Sequence, residues 1–81
     1  MSKVLIVEDE RELAQLMSCA FEADGIAAVI AGSAEEAYDL LTSAVFDCLI
    51  VDVNLPGDDG YALCRNLRER SGVPVVFASA R

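Results

Sequence analysis

The chain has 81 residues, enough for one small domain at most. Hydrophobic residues make up 54% of it, and Gly and Pro occupy only 5 and 2 positions, which excludes disorder and a collagen-like repeat. Fourteen acids against six bases give a net charge of −8, the wrong sign for a bare nucleic-acid-binding module, and the absence of histidine excludes a His-Asp relay, an imidazole metal ligand and a phosphohistidine on this chain.

Val4 to Val7 is a continuous apolar run, the pattern of a strand covered on both faces. Leu13, Leu16, Met17, Ala20 and Phe21 then recur at i, i+3, i+4, i+7 and i+8, which predicts a helix with one core-facing stripe. Asp9 and Glu12 have capping-box-like spacing at its start, and Gly25 is placed to terminate it in a left-handed conformation. Ile26 to Ala31 is a second apolar run. Ser33 and Glu36 form another capping-box pattern, opening a helix whose predicted core face is Ala37, Leu40, Leu41 and Ala44. Cys48 to Val51 is a third apolar run and ends at Asp52. A turn-rich stretch from Asn54 to Gly60 leads to a predicted third helix with Leu63, Cys64 and Leu67 inward, closed by Gly72. Val73 to Ala78 makes a fourth strand, with Pro74 near its start, where a missing donor is tolerable. The order β-α-β-α-β-α-β with short connections predicts right-handed crossovers and a parallel sheet with helices on both faces.

Only four strongly apolar residues follow Lys3 before Glu8, Asp9 and Glu10, too short for a signal-peptide core. No run approaches the ~18 apolar residues of a membrane span. Cys19, Cys48 and Cys64 are odd in number and lack CxxC spacing, so free thiols in a reducing cytoplasm are expected rather than a disulfide framework or a zinc site.

In open parallel sheets, ligands bind beyond the carboxyl ends of strands, where the strand order reverses. Glu8 and Asp9 follow the first strand and Asp52 ends the third, so these carboxylates converge if the two strands are neighbours. Like charges so placed need a cation or a shared proton. Carboxylates, a backbone carbonyl and waters make the oxygen-rich site that Mg²⁺ prefers, and a strand-end Asp beside it is able to attack phosphorus. Ser79 would add a hydroxyl at the end of the fourth strand. A plainer role competes for Glu8 and Asp9, because acids at helix starts also cap and meet the positive dipole end.

Val-Leu-Ile-Val-Glu8-Asp9-Glu, Leu-Ile-Val-Asp52-Val-Asn-Leu-Pro-Gly-Asp-Asp-Gly60 and Val-Pro-Val-Val-Phe-Ala-Ser79-Ala-Arg together resemble a response-regulator receiver domain of two-component signalling. The blocks stand in that family's order and at nearly its spacing over the whole chain. The resemblance implies an α/β, flavodoxin-like doubly wound parallel sheet of strand order 2-1-3-4. It implies Asp52 as the phospho-acceptor and Ser79 as the hydroxyl that hydrogen-bonds the phosphoryl group. The implied Mg²⁺ ligands are Asp9 directly, Glu8 through water, Asp52, and Asn54 through its backbone carbonyl. Pro56, Gly57 and Gly60 match the turn beside the acceptor. The implied partner is a sensor histidine kinase or phosphotransfer protein, with no direct nucleic-acid or membrane binding and a cytoplasmic location.

The family runs to about five strands and five helices, and residues 1–81 match its N-terminal two-thirds. The last helix-strand-helix is therefore expected to be missing, with its phosphate-pairing lysine and switch aromatic; Lys3 is the only lysine here. An apolar fourth strand left at the sheet edge is expected to favour self-association. Three functions compete. The first is a Mg²⁺-dependent receiver that is not a turnover enzyme. The second is a receiver-derived interaction module that no longer switches. The third is an aspartyl-phosphate phosphatase of the haloacid dehalogenase type, disfavoured because Asn54 stands where that family needs a second Asp.

Overall fold

The computed structural model describes residues 2–52, 65–66 and 73–78, with backbone alone for Asp52, Phe77 and Ala78. The elements are β1 (Lys3–Val7), α1 (Arg11–Ala23), β2 (Ala27–Ala31), α2 (Ala34–Ser43), β3 (Cys48–Asp52) and β4 (Val75–Ala78). All strand pairs are parallel, and the sheet order is β2-β1-β3-β4, as the doubly wound reading expects.

Strand alternation divides the core in two. Leu5 and Val7 of β1 join Leu49 and Val51 of β3 on one face, packed with Ala34, Ala37 and Phe46. Val4 and Ile6 face the other way, against Ala14 with Met17 and Phe21 of α1. Both helices are therefore on opposite faces of the sheet. Leu5, Ile6 and Val7 are all fully buried, which is why this strand reads as an unbroken apolar run.

The helix ends follow their sequence signals with one exception. Ser33 Oγ accepts from the Glu36 N–H at 3.2 Å, as the second capping pattern predicts. Gly25 has φ 79°, with Gly25 N–H donating to the Glu22 carbonyl and Ile26 N–H to that of Phe21, each at 3.0 Å. This is the two-bond Schellman closure. The exception is the start of α1: its N-cap is Glu10, and no side chain caps it from that position, so Asp9 and Glu12 do not form the expected box.

The inward face of α1 also differs from the predicted stripe. Ala14 is fully buried and Met17 and Phe21 pack beneath it, whereas Leu16 is 69% exposed and Ala20 lies on the outside. Ala14, Met17 and Phe21 keep the i, i+3, i+7 spacing, and the small alanine allows close approach to β1. The α2 face is as expected, with Ala37 buried and Leu40, Leu41 and Ala44 packed around it.

β4 begins at Val75 rather than Val73. Pro74 contributes only its carbonyl, which accepts from Leu49 N–H at 2.9 Å. β4 is the outer strand among the described residues, and Val76 is 54% exposed. The predicted third-helix contacts of Leu63, Cys64 and Leu67 lie outside the described residues. Arg65 and Asn66 are helical, and Asn66 Nδ2 donates to the Tyr38 hydroxyl of α2 at 2.8 Å. Cys19 and Cys48 are free thiols, and among the described residues no helix is long and apolar enough to cross a membrane.

Candidate functional site at the carboxyl ends of β1 and β3

The winding of the sheet locates the site. The chain passes from β1 to β2 in one direction, then returns across β1 to β3 in the other. The carboxyl ends of β1 and β3 therefore flank the point of reversal. Val7 pairs with Val51, so the next positions, Glu8 and Asp52, stand level on neighbouring strands about 4.8 Å apart. Asp52 in turn pairs with Ala78, which brings the end of β4 to the same rim.

Glu8 is the buried charged side chain of the described residues, only 3% exposed. Its backbone N–H donates to the Ala31 carbonyl at 2.9 Å, carrying the β1–β2 ladder one residue beyond Val7. Its Oε2 accepts from the Glu10 N–H at 3.0 Å. Asp9, between the two, is exposed. A cleft of about 470 Å³ opens beside them, with Glu8, Asp9, Arg11 and Gln15 on the α1 side and Gly32 and Glu36 on the α2 side.

Arg11 and Gln15 were not singled out from the sequence, and Glu36 was only as a helix-capping residue. On their own helices they look like ordinary solvated positions, and only the tertiary fold draws the first turns of α1 and α2 around the β1 terminus. The signal available in sequence was positional: each follows the carboxyl end of a strand by a few residues.

Of the expected ligands, Glu8 and Asp9 are adjacent at the rim, and the β3 backbone brings Asp52 level with Glu8. The Asp52 side chain, Asn54, Ser79 and the Pro56–Gly60 turn lie outside the described residues. Among the described residues no group of three or more His, Cys, Asp or Glu side chains is arranged to hold a metal. The two carboxylates at the rim are hard oxygen donors, the chemistry that suits Mg²⁺ and not a soft metal.

Comparisons with known proteins agree with this geometry. The chain is 36% identical over 81 residues to the transcriptional regulatory protein YxdJ of Bacillus subtilis (strain 168), covering 100% of this chain and 35% of that protein. It thus spans about a third of the length of the curated relatives it matches. Among solved structures, the Francisella response regulator 1452 receiver domain superposes with a TM-score of 0.92 at 32% identity, covering 99% of this chain and 67% of that one. The BeF3-activated N-terminal receiver domain of Klebsiella pneumoniae RstA superposes at 0.93 with 28% identity, covering 99% and 68%. The family profile described as the response regulator receiver domain matches residues 4–81. Sheet order, the acidic rim and the extent of this match together place the chain in the response regulator receiver domain family.

Proposed function

We propose that the chain is a two-component receiver, the N-terminal part of such a domain, that takes a phosphoryl group onto Asp52 from the phosphohistidine of a sensor histidine kinase or phosphotransfer protein in a Mg²⁺-dependent reaction. The observation that carries this reading is the in-register parallel pairing of β1 with β3, which sets Asp52 level with the acidic pair Glu8 and Asp9.

A carboxylate oxygen of Asp52 attacks phosphorus, a P–O bond forms and the P–N bond of the phosphohistidine breaks. The electron pair returns to the imidazole, which is then protonated, and an acyl phosphate remains on Asp52. Glu8, Asp9, Asp52 and the backbone carbonyl of Asn54 are the residues that would hold Mg²⁺. Bound there, the ion supplies positive charge that reduces the repulsion between an acidic rim and the incoming phosphoryl group. Ser79, the residue after Ala78 on the strand that pairs with Asp52, donates its hydroxyl to the transferred group. The event is a single transfer rather than turnover.

The BeF3-activated state of the Klebsiella pneumoniae domain supports a phosphoryl-like group as the natural occupant. The net charge of −8 opposes direct nucleic-acid binding by this segment, and a kinase partner places it in the cytoplasm. Pairing of a second copy along the β4 edge is the self-association that the exposure of Val76 supports.

The test is incubation with acetyl phosphate and Mg²⁺ followed by mass spectrometry. One phosphoryl group is expected on Asp52 and none on the Asp52→Asn variant. A chain that stays unmodified while it demonstrably binds Mg²⁺ is instead a non-switching interaction module.

A further inference from the structure

We propose that Glu8, besides its water-mediated place in the proposed cation site, has a positioning role: its carboxylate latches the β1–α1 loop and thereby sets where Asp9 presents its own carboxylate to a divalent cation. The inference rests on the reading of Asp9 as a cation ligand and adds a second task to Glu8.

Among the described residues, two hydrogen bonds of Glu8 hold the loop. Its N–H is fastened to the Ala31 carbonyl of β2, and its Oε2 is fastened to the N–H of Glu10, the N-cap of α1. Glu10 has extended geometry, φ −83° and ψ 106°, and makes no side-chain cap bond of its own. The carboxylate from two residues back closes the helix entrance instead, as an Asx turn does, with one more methylene in the ring. Asp9 is the single residue between the anchors, and it is exposed where Glu8 is 3% exposed. Fixing residues 8 and 10 leaves Asp9 little backbone freedom.

Three proteins separate positioning from charge: wild type, Glu8→Gln, which keeps an acceptor oxygen without the charge, and Glu8→Met, which fills the space with no acceptor. Two measurements are made on each, hydrogen exchange of the Glu10 amide in the metal-free chain and Mg²⁺ affinity by titration. Glu8→Met is expected to speed Glu10 exchange roughly tenfold or more, given the usual strength of a bond to a charged group. Glu8→Gln is expected to retain most of that protection and to recover part of the Mg²⁺ affinity lost in Glu8→Met. Equal loss of affinity in both variants with Glu10 protection unchanged overturns the proposal, because Glu8 then acts by charge alone. Should Glu8→Met fail to fold, wild type still decides: an unprotected Glu10 amide in a chain that binds Mg²⁺ overturns the latch by itself. A protected Glu10 amide in a wild-type chain that binds no Mg²⁺ overturns the cation half together with the reading beneath it.

Discussion

The rotation of α1 relative to its apolar stripe is open to a direct energetic test with two opposed substitutions. Leu16 is 69% exposed, so roughly a third of its side chain is removed from water. Full burial of a leucine is worth about 1.5–3 kcal/mol, and a third of that is about 0.5–1 kcal/mol. Alanine returns a few tenths through its better helix propensity, leaving Leu16→Ala with a net cost of about 0.5 kcal/mol. Ala14 is fully buried in the cluster with Val4 and Ile6. Ala14→Leu must displace α1 or force strained rotamers, at about 1–3 kcal/mol. Urea unfolding of the full chain, followed by circular dichroism, resolves the two. With a slope of about 1 kcal/mol/M for a domain this small, the midpoint falls by ~0.5 M for Leu16→Ala and by ~1 M or more for Ala14→Leu. The stripe drawn from sequence alone demands the reverse order. A Leu16→Ala variant that loses more than about 2 kcal/mol, the low end of a buried Leu→Ala change, beside a tolerated Ala14→Leu refutes the helix orientation.

The remaining predictions concern the acidic rim and the sheet edge. Asp9→Ala removes an exposed carboxylate from the proposed cation site and is expected to weaken Mg²⁺ at least tenfold, since a unit charge pair at about 4 Å is worth several kcal/mol near a protein surface; an unchanged titration removes Asp9 from the site. Sedimentation of the chain at rising concentration is expected to show self-association that Val76→Lys suppresses, because a charge on an edge strand discourages further pairing. A compact monomer at every concentration overturns the edge reading.

The strands were legible because a parallel strand buried on both faces must be apolar throughout, and Val4–Val7 and Cys48–Val51 are. Ser33 and Gly25 were legible because each performs a local act, one bond or one positive φ, that needs no tertiary partner. The face of α1 was not. Leu13, Leu16, Met17, Ala20 and Phe21 spread over an arc wide enough for more than one orientation, and hydrophobicity favours the large residues. Close packing on β1 favours Ala14 because it is small. The N-cap was misread for a related reason: Asp9 and Glu12 have the right spacing, yet the amide that matters at the helix entrance is taken by Glu8 from the preceding strand. The acidic rim was legible from residue type and position. The cleft residues Arg11 and Glu36 were legible only as positions soon after strand ends, because the sharing of one cleft by two helix starts is set by the tertiary fold.

The same handedness that builds this sheet also exposes its acids. A right-handed β1-α1-β2 unit lays α1 on one face, and a right-handed return from β2 to β3 lays α2 on the other. The carboxyl ends of β1 and β3 then flank the point where the strand order reverses. An apolar residue at position 8 or 52 would suit the strands, since every β1 residue from Val4 to Val7 is apolar and buried. Placing a carboxylate there, buried to 3% at Glu8, costs desolvation that must be offset by its partners, the Glu10 amide among them. The bond to the Glu10 amide gives a carboxylate at position 8 a local role, and the proposed cation between the ends of β1 and β3 would favour both carboxylates.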